Sequence, residues 1–196
     1  MSKKKNNYEI GKEMIRRSDL SVRAVKTFMG REGSGVNADL YFKNKKIGDL
    51  IDSGNGGGSD IHYRTGNKYM PDDPNVVAFL ETLPEHTYGD RGYEFNESKV
   101  TRFNDEEMWD EIIDLYLIRK EFRTRILKKV AYITKNKVYT YKHRPSVLGD
   151  EFRYNGGSKT LKEIILKENK GAVILNELPN EEAFSLWYDK VYKKGI

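Results

Sequence analysis

Three histidines, His62, His86 and His143, and no cysteine are present in the chain. A thiol nucleophile, a thiolate metal site and disulfides are therefore excluded. His62 lies two residues after Asp60, a spacing that puts both side chains on one face of a strand. His86 precedes Asp90, Arg91 and Glu94 within a long polar segment. Asp60, His62, His86 and Asp90 are the donor types from which a divalent-metal nuclease can be assembled, with the ion activating a water. Their spacing does not require that assembly, and ordinary surface or part-buried histidines are the simpler reading. No Ser/His/Asp order marks a triad. No catalytic residue, metal or cofactor is assigned from the sequence.

Two further groups could do work without chemistry. The glycine-rich segment Gly30 to Asn37 lacks the Gly-Lys-Ser/Thr ending of a phosphate loop and does not lead from a strand into a helix. It reads as a corner between strands where glycines take positive φ. Around it Arg31, Glu32, Asn37, Asp52 and Asn55 are expected to converge as a secondary partner surface. The stronger group is the basic run from Arg119 to Arg144, in which Glu121 is the only acid and Tyr132, Tyr139 and Tyr141 are interleaved. Positive charge meets phosphates and ring faces stack on bases. An acidic protein surface would engage the same residues. Arg119, Lys120, Arg123, Lys128, Lys129, Lys135, Lys137, Tyr139, Tyr141 and Lys142 are the expected contact residues. The plainer reading is a solvated basic face.

The element that must carry much of this surface is a helix over residues 104–129. Asn104 and Glu107 have capping-box spacing, and Phe103 and Met108 that of a hydrophobic staple. Acids fill the first half and bases the last part, which suits the helix dipole. Met108, Trp109, Ile112, Ile113 and Tyr116 lead an apolar stripe on a helix about 35 Å long.

Before it, residues 8–17 predict a short helix. Residues 20–64 predict an antiparallel meander, with Val22, Ala24 and Phe28 alternating against Arg23, Val25 and Thr27 in the first strand. A hairpin turn falls at Asn44-Lys45 and a glycine corner at Ser53 to Ser59. Residues 66–72 read as a loop, Asp73 and Pro74 start a helix, and residues 85–102 form a long loop with one short strand. After the central helix come a hairpin over residues 130–142, a loop over 144–157, and a helix capped by Ser158. A short apolar strand, Ala172 to Leu175, and a last helix capped by Asn180 complete the chain. The class is α+β. It is expected as one domain over 1–196, divisible into a β-meander lobe at 18–66 and a helix-rich lobe with a hairpin at 73–196.

The net charge of +5 and pI near 9.1 permit a polyanionic partner. No apolar run is long enough to span a bilayer. Lys3, Lys4 and Lys5 have no apolar run behind them, so no signal peptide is expected.

The run Val25 to Asp52, VKTFMGREGSGVNADLYFKNKKIGDLID, followed by SGNGGG, resembles a pattern found in small proteins of phages and other bacterial mobile elements. The C-terminal AVILNELPNEEAFSLWY resembles the end of such proteins. Some proteins of this kind are anti-CRISPR inhibitors of RNA-guided nucleases. The resemblance implies an inhibitor of a host nucleic-acid-directed defence protein, acting in the cytoplasm of a bacterial host cell. It transfers no catalytic motif. A metal-dependent nuclease, a direct RNA- or DNA-binding protein and a structural phage protein stay open as alternatives.

Overall fold

The structure is a computed structural model describing residues 6–64, 73–92, 98–135 and 137–192. The class is α+β. The chain divides into two compact units, Met1–Tyr116 and Leu117–Ile196.

The first unit begins with α1 (Asn7–Arg16), capped by the Asn6 side chain, which accepts from the Glu9 N–H at 2.9 Å. Then come β1 (Leu20–Met29), β2 (Ser34–Phe42), β3 (Lys45–Asp52) and β4 (Asp60–Tyr63), paired antiparallel in the order β1-β2-β3-β4. The meander is as expected, but the alternation of β1 is not. Its register jumps between Arg23↔Asp39 and Lys26↔Asn37, so Ala24 and Val25 together oppose Ala38. Ala24 takes a positive φ of 50°, unusual for a residue with a Cβ. This bulge turns Ala24 outward and buries Val25 beside Val22, reversing the predicted phase. A second irregularity, at Leu40/Tyr41, brings Ile47 into the core. The turn uses Lys43-Asn44, one residue earlier than predicted.

Asp73 caps α2 (Pro74–Thr82), accepting from the Asn75 N–H at 2.9 Å; Val76 and Leu83 are buried, while Phe79 and Leu80 are half-buried. The predicted loop 66–72 lies outside the described residues. The long polar segment contains β5 (His86–Thr87), a 3-10 turn at Gly89–Arg91 and β6 (Val100–Thr101), which pairs with β5. α3 (Asp105–Glu121) starts with the predicted capping box: the Glu107 N–H donates to Asn104 Oδ1 at 2.8 Å and Glu107 Oε2 accepts from the Asn104 N–H at 3.2 Å. Met108, Trp109, Ile112 and Ile113 are buried, and Tyr116 is half-buried. The Trp109 indole N–H donates to the Tyr63 hydroxyl at 2.7 Å, joining helix to sheet. At Gly11 of α1 a Cβ would overlap the Phe103 ring, so glycine is needed there for close approach. Lys12 at 3.2 Å and Arg16 at 2.6 Å both pair with Glu111 and fasten α1 to α3.

The second unit takes up the last turn of α3. The regular helix ends at Glu121, short of the expected Lys129, and widens into a π turn over Phe122–Ile126, where the Leu127 N–H donates to the Phe122 carbonyl at 2.9 Å. β7 (Ala131–Ile133) and β8 (Val138–Thr140) form the predicted hairpin. Where a loop was expected over 144–157, a 3-10 turn at Pro145–Gly149 is followed by the hairpin β9 (Glu151–Tyr154) and β10 (Gly157–Thr160). Asn155 and Gly156 both take positive φ, 49° and 82°, as a two-residue hairpin turn requires. Ser158 lies in β10, its hydroxyl donating to Glu151 at 2.7 Å; the cap of α4 (Leu161–Glu168) is Thr160, in a capping box with Glu163. β11 (Val173–Ile174) adds to β7, giving the order β11-β7-β8. α5 (Asn180–Val191) follows Pro179, and no side chain caps it, in place of the expected Asn180 cap. Phe122, Phe184 and Trp187 form one aromatic cluster; Val130, Tyr132, Leu161, Ile165 and Ile174 form the core beneath the hairpin.

Candidate nucleic-acid interface

The division of the chain separates its charge. Leu117–Ile196 carries 18 Lys and Arg against nine Asp and Glu, a net +9. Met1–Tyr116 carries 17 against 21, a net −4, which together restore the +5 of the whole chain. A potential that would attract a polyanion is therefore a property of the second unit.

Within that unit the expected basic residues fall into two groups. The first is engaged internally. Arg119 donates to both Glu181 carboxylate oxygens, at 2.8 and 2.7 Å, and its guanidinium lies 4.6 Å from the centre of the Phe184 ring. Arg123 stands 3.9 Å from the same carboxylate, and Arg125 pairs with Glu121 at 3.3 Å. Arg119 on α3 is thus paired with Glu181 of α5 and stacked on Phe184, where an open contact was expected.

The second group is open. Lys120, Lys128, Lys129, Lys135, Lys137 and Lys142 are exposed, and none makes an ion pair among the described residues. Lys128 and Lys129 project from the turn between the π segment and β7. Asn176, unremarked in the sequence, holds that turn: its Oδ1 accepts from the Ala131 N–H at 2.7 Å, and its Nδ2 donates to the Leu127 and Lys129 carbonyls at 3.2 and 3.0 Å. The Val130 N–H donates to the His143 carbonyl and its carbonyl accepts from the Tyr141 N–H, both at 2.8 Å, which sets Lys142 opposite Val130, the residue after Lys129, at the base of the hairpin. Lys135 and Lys137 flank its tip, and the Lys190 ammonium donates to the Lys135 carbonyl at 2.9 Å.

The tyrosines share one side of the hairpin, as their spacing predicts, but not one environment. Tyr132 is the middle ring, with Tyr139 stacked on it at 5.1 Å and 13° and Tyr141 at 5.8 Å and 26°. Tyr141 packs against the core beneath, whereas Tyr139 is 41% exposed. Burial, with Tyr141 close by, pushes the Tyr132 phenol up to about 12.

The glycine corner closes on itself. The Glu32 N–H donates to the Gly54 carbonyl at 2.9 Å, the Arg31 N–H to Asn55 Oδ1 at 3.1 Å, and the Gly54 N–H to Asp52 Oδ1 at 2.8 Å. Arg31, Glu32, Asp52 and Asn55 do converge, and Asn55 and Asp52 use their side-chain oxygens on backbone donors. Asn37 stands apart from them, between Lys26 and Ile51 in the sheet.

The histidines do not form a ligand set. No group of three or more His, Asp or Glu side chains arranged to hold a metal occurs among the described residues, so Asp60, His62, His86 and Asp90 are not brought together as one. His86 is instead a core residue, 1% exposed, with the Tyr8 ring at 5.1 Å and the Phe103 ring at 4.6 Å. Its Nε2 accepts from Arg91 Nε at 2.7 Å, and Arg91 pairs in turn with both oxygens of Glu107. Burial first, then the Arg91 charge, holds the imidazole below its ordinary pKa. On α3, desolvation and then the carboxylates of Glu106, Asp114, Asp52 and Glu107 push Asp110 up to about 6.

Compared with protein-family models, with curated proteins and with solved structures, the chain matches none. No helix among the described residues is long and apolar enough to cross a membrane.

Proposed function

We propose that this is a non-enzymatic binding protein whose second unit grips a polyanion, with nucleic acid as the ligand. The observation that carries the reading is the contrast among the cations of one unit: Arg119 and Arg125 are neutralised internally, while Lys128, Lys129, Lys137 and Lys142 around the hairpin have no anionic partner among the described residues. Lysines held near one another without counter-charge repel, and a row of phosphates relieves that repulsion while releasing its own counterions.

The experiment is fluorescence anisotropy with a labelled oligonucleotide over a salt series. Affinity is expected to fall steeply with salt, with a log–log slope of about 0.7–0.9 per phosphate neutralised. Replacing Lys128, Lys129 and Lys142 together by Glu is expected to abolish binding. Equal binding by this variant at low salt, with an unchanged circular dichroism spectrum, would remove the surface from consideration.

A second reading rests on the segment Val25 to Asp52 and its resemblance to phage and mobile-element proteins. In it the protein inhibits a host nucleic-acid-directed defence enzyme in the bacterial cytoplasm, in the manner of an anti-CRISPR protein. A positive face is repelled by the positive groove in which such enzymes hold nucleic acid, so it would engage the bound nucleic acid or an acidic flank. Recovery of one specific host protein from a nuclease-treated bacterial lysate supports this reading; loss of every partner on that treatment favours direct nucleic-acid binding.

A further inference from the structure

The three-ring stack on the β7–β8 hairpin is closed at one end and open at the other. Tyr141 at one end is half-buried against the core that includes Tyr132, Leu161 and Ile165. Tyr132 in the middle is 5% exposed. Tyr139 at the other end has Tyr132 against one face, and no second ring or cation lies over it among the described residues. It stands on β8, the edge strand of the order β11-β7-β8, so no further strand covers it. The hydrophobic core anchors the inner rings, and Tyr139 is therefore presented in a fixed plane. An exposed aromatic ring held this way loses little conformational freedom on receiving a flat partner.

The surroundings specify the partner. Lys137, two residues before Tyr139, falls on the same side of the hairpin by strand alternation and is exposed. Lys135 stands at the adjoining tip and Lys142 on the opposite side at the base. Glu168, the acid whose charge acts on Tyr132, accepts a hydrogen bond from the Tyr154 hydroxyl at 2.9 Å. A flat face with Lys137 on its own side and Lys135 at the adjoining tip matches a nucleobase joined to phosphates. In a duplex the bases are stacked on one another, and no base face is offered to a ring at the margin of a sheet. In a single strand each base can turn its face outward.

We propose that the open face of Tyr139 is a stacking platform for an unpaired base, so that the ligand of this surface is single-stranded nucleic acid. The inference rests on the polyanion reading above and adds to it the strandedness of the ligand.

The test compares three labelled ligands of equal length at one low salt concentration: a mixed-sequence single strand, its duplex, and an abasic deoxyribose-phosphate chain. The wild-type protein is expected to bind the single strand at least about fivefold more tightly than the abasic chain, the lower end of what one stacked base contributes. Tyr139→Ala should bring the single strand to the abasic level and leave the other two ligands unchanged. Tyr139→Phe, which keeps the ring, should retain the preference. Tyr139→Leu keeps apolar cover over Tyr132 and controls for folding, and it should behave as the alanine variant. Equal binding of single strand and abasic chain by the wild-type protein, or a preference that survives both Tyr139→Ala and Tyr139→Leu, overturns the inference while leaving the polyanion reading intact. Failure of all three ligands to bind overturns both.

Discussion

Arg91 in the first unit and Lys129 in the second are both cations, and their surroundings differ completely. Arg91 donates to His86, pairs with Glu107, and lies 5.4 Å from the Tyr8 ring centre and 5.6 Å from that of Tyr88. Lys129 has its carbonyl held by Asn176 and its ammonium without an anionic partner among the described residues. The first arrangement consumes a charge to hold α1, β5 and the start of α3 together. The second fixes a backbone and leaves the charge for something else. A cation's neighbours, rather than its presence in a basic run, separate a structural role from a binding one.

The largest effects are expected in stability. Trp109→Ala, which empties a fully buried site and strands the Tyr63 hydroxyl, is expected to cost about 3–5 kcal/mol in denaturant unfolding. A smaller cost would mean that the first-unit core collapses around the change. Arg91→Ala should cost about 1–3 kcal/mol, because it leaves the buried His86 Nε2 and the part-buried Glu107 without their donor. Lys129→Ala, a matched deletion in the second unit, should stay within about 0.5 kcal/mol. Similar costs for the two would mean that Arg91 holds the fold no more than Lys129 does.

The first unit should also respond to pH in two opposed ways. His86 has its folded-state pKa held below the ordinary 6.5, so its contribution to stability is complete above that value and is lost as pH falls from 6.5 towards the folded pKa. Protonation would set an imidazolium against Arg91, with Tyr8, Phe103, Asp90 and Glu107 as the other facing groups. Asp110, raised from 3.8 to about 6, behaves oppositely: its ionisation penalises the folded state above pH 6, and that penalty fades as pH falls to 4. Asp110→Asn should therefore stabilise at pH 7 and have little effect at pH 4, while wild-type unfolding monitored between pH 7 and 5 should show the His86 loss partly offset. Stability that rises in Asp110→Asn by the same amount at both pH values would show that ionisation of Asp110 is not the cause.

The smallest effect sharpens the assignment within the basic run. Arg119→Ala removes a solvent-accessible pair with Glu181 and should cost at most about 1 kcal/mol. Its oligonucleotide affinity should fall less than that of Lys129→Ala, measured side by side by anisotropy. A larger fall would place Arg119 among the open contacts after all.

Much of this was legible locally. The capping box at Asn104 and Glu107, the stripe through Trp109 and Ile112, and the strands of the meander all follow from neighbours within a few residues. The β9–β10 hairpin was equally legible, since Asn155-Gly156 is a strong turn signal, yet the polar stretch around it reads as loop. The bulge at Ala24 was not, because alternation continues unbroken through the residues that carry it. Nor was His86 readable as a core group, since its burial depends on Tyr8 and Phe103 arriving from two other segments.

By itself the sequence determined the α+β class, the main helices and hairpins, and the excess of positive charge after residue 117. These depend on periodicity, caps, turns and composition, which act over one or two turns of chain. Tertiary structure alone decided which of those charges stay open. Glu181, 62 residues from Arg119, neutralises that arginine, and Asn176, 47 residues from Lys129, sets the turn that presents it. Tertiary structure also decided that Tyr139 and Tyr141, identical in type and on one side of one strand, differ in exposure, because the core lies under one end of the ring stack and not the other.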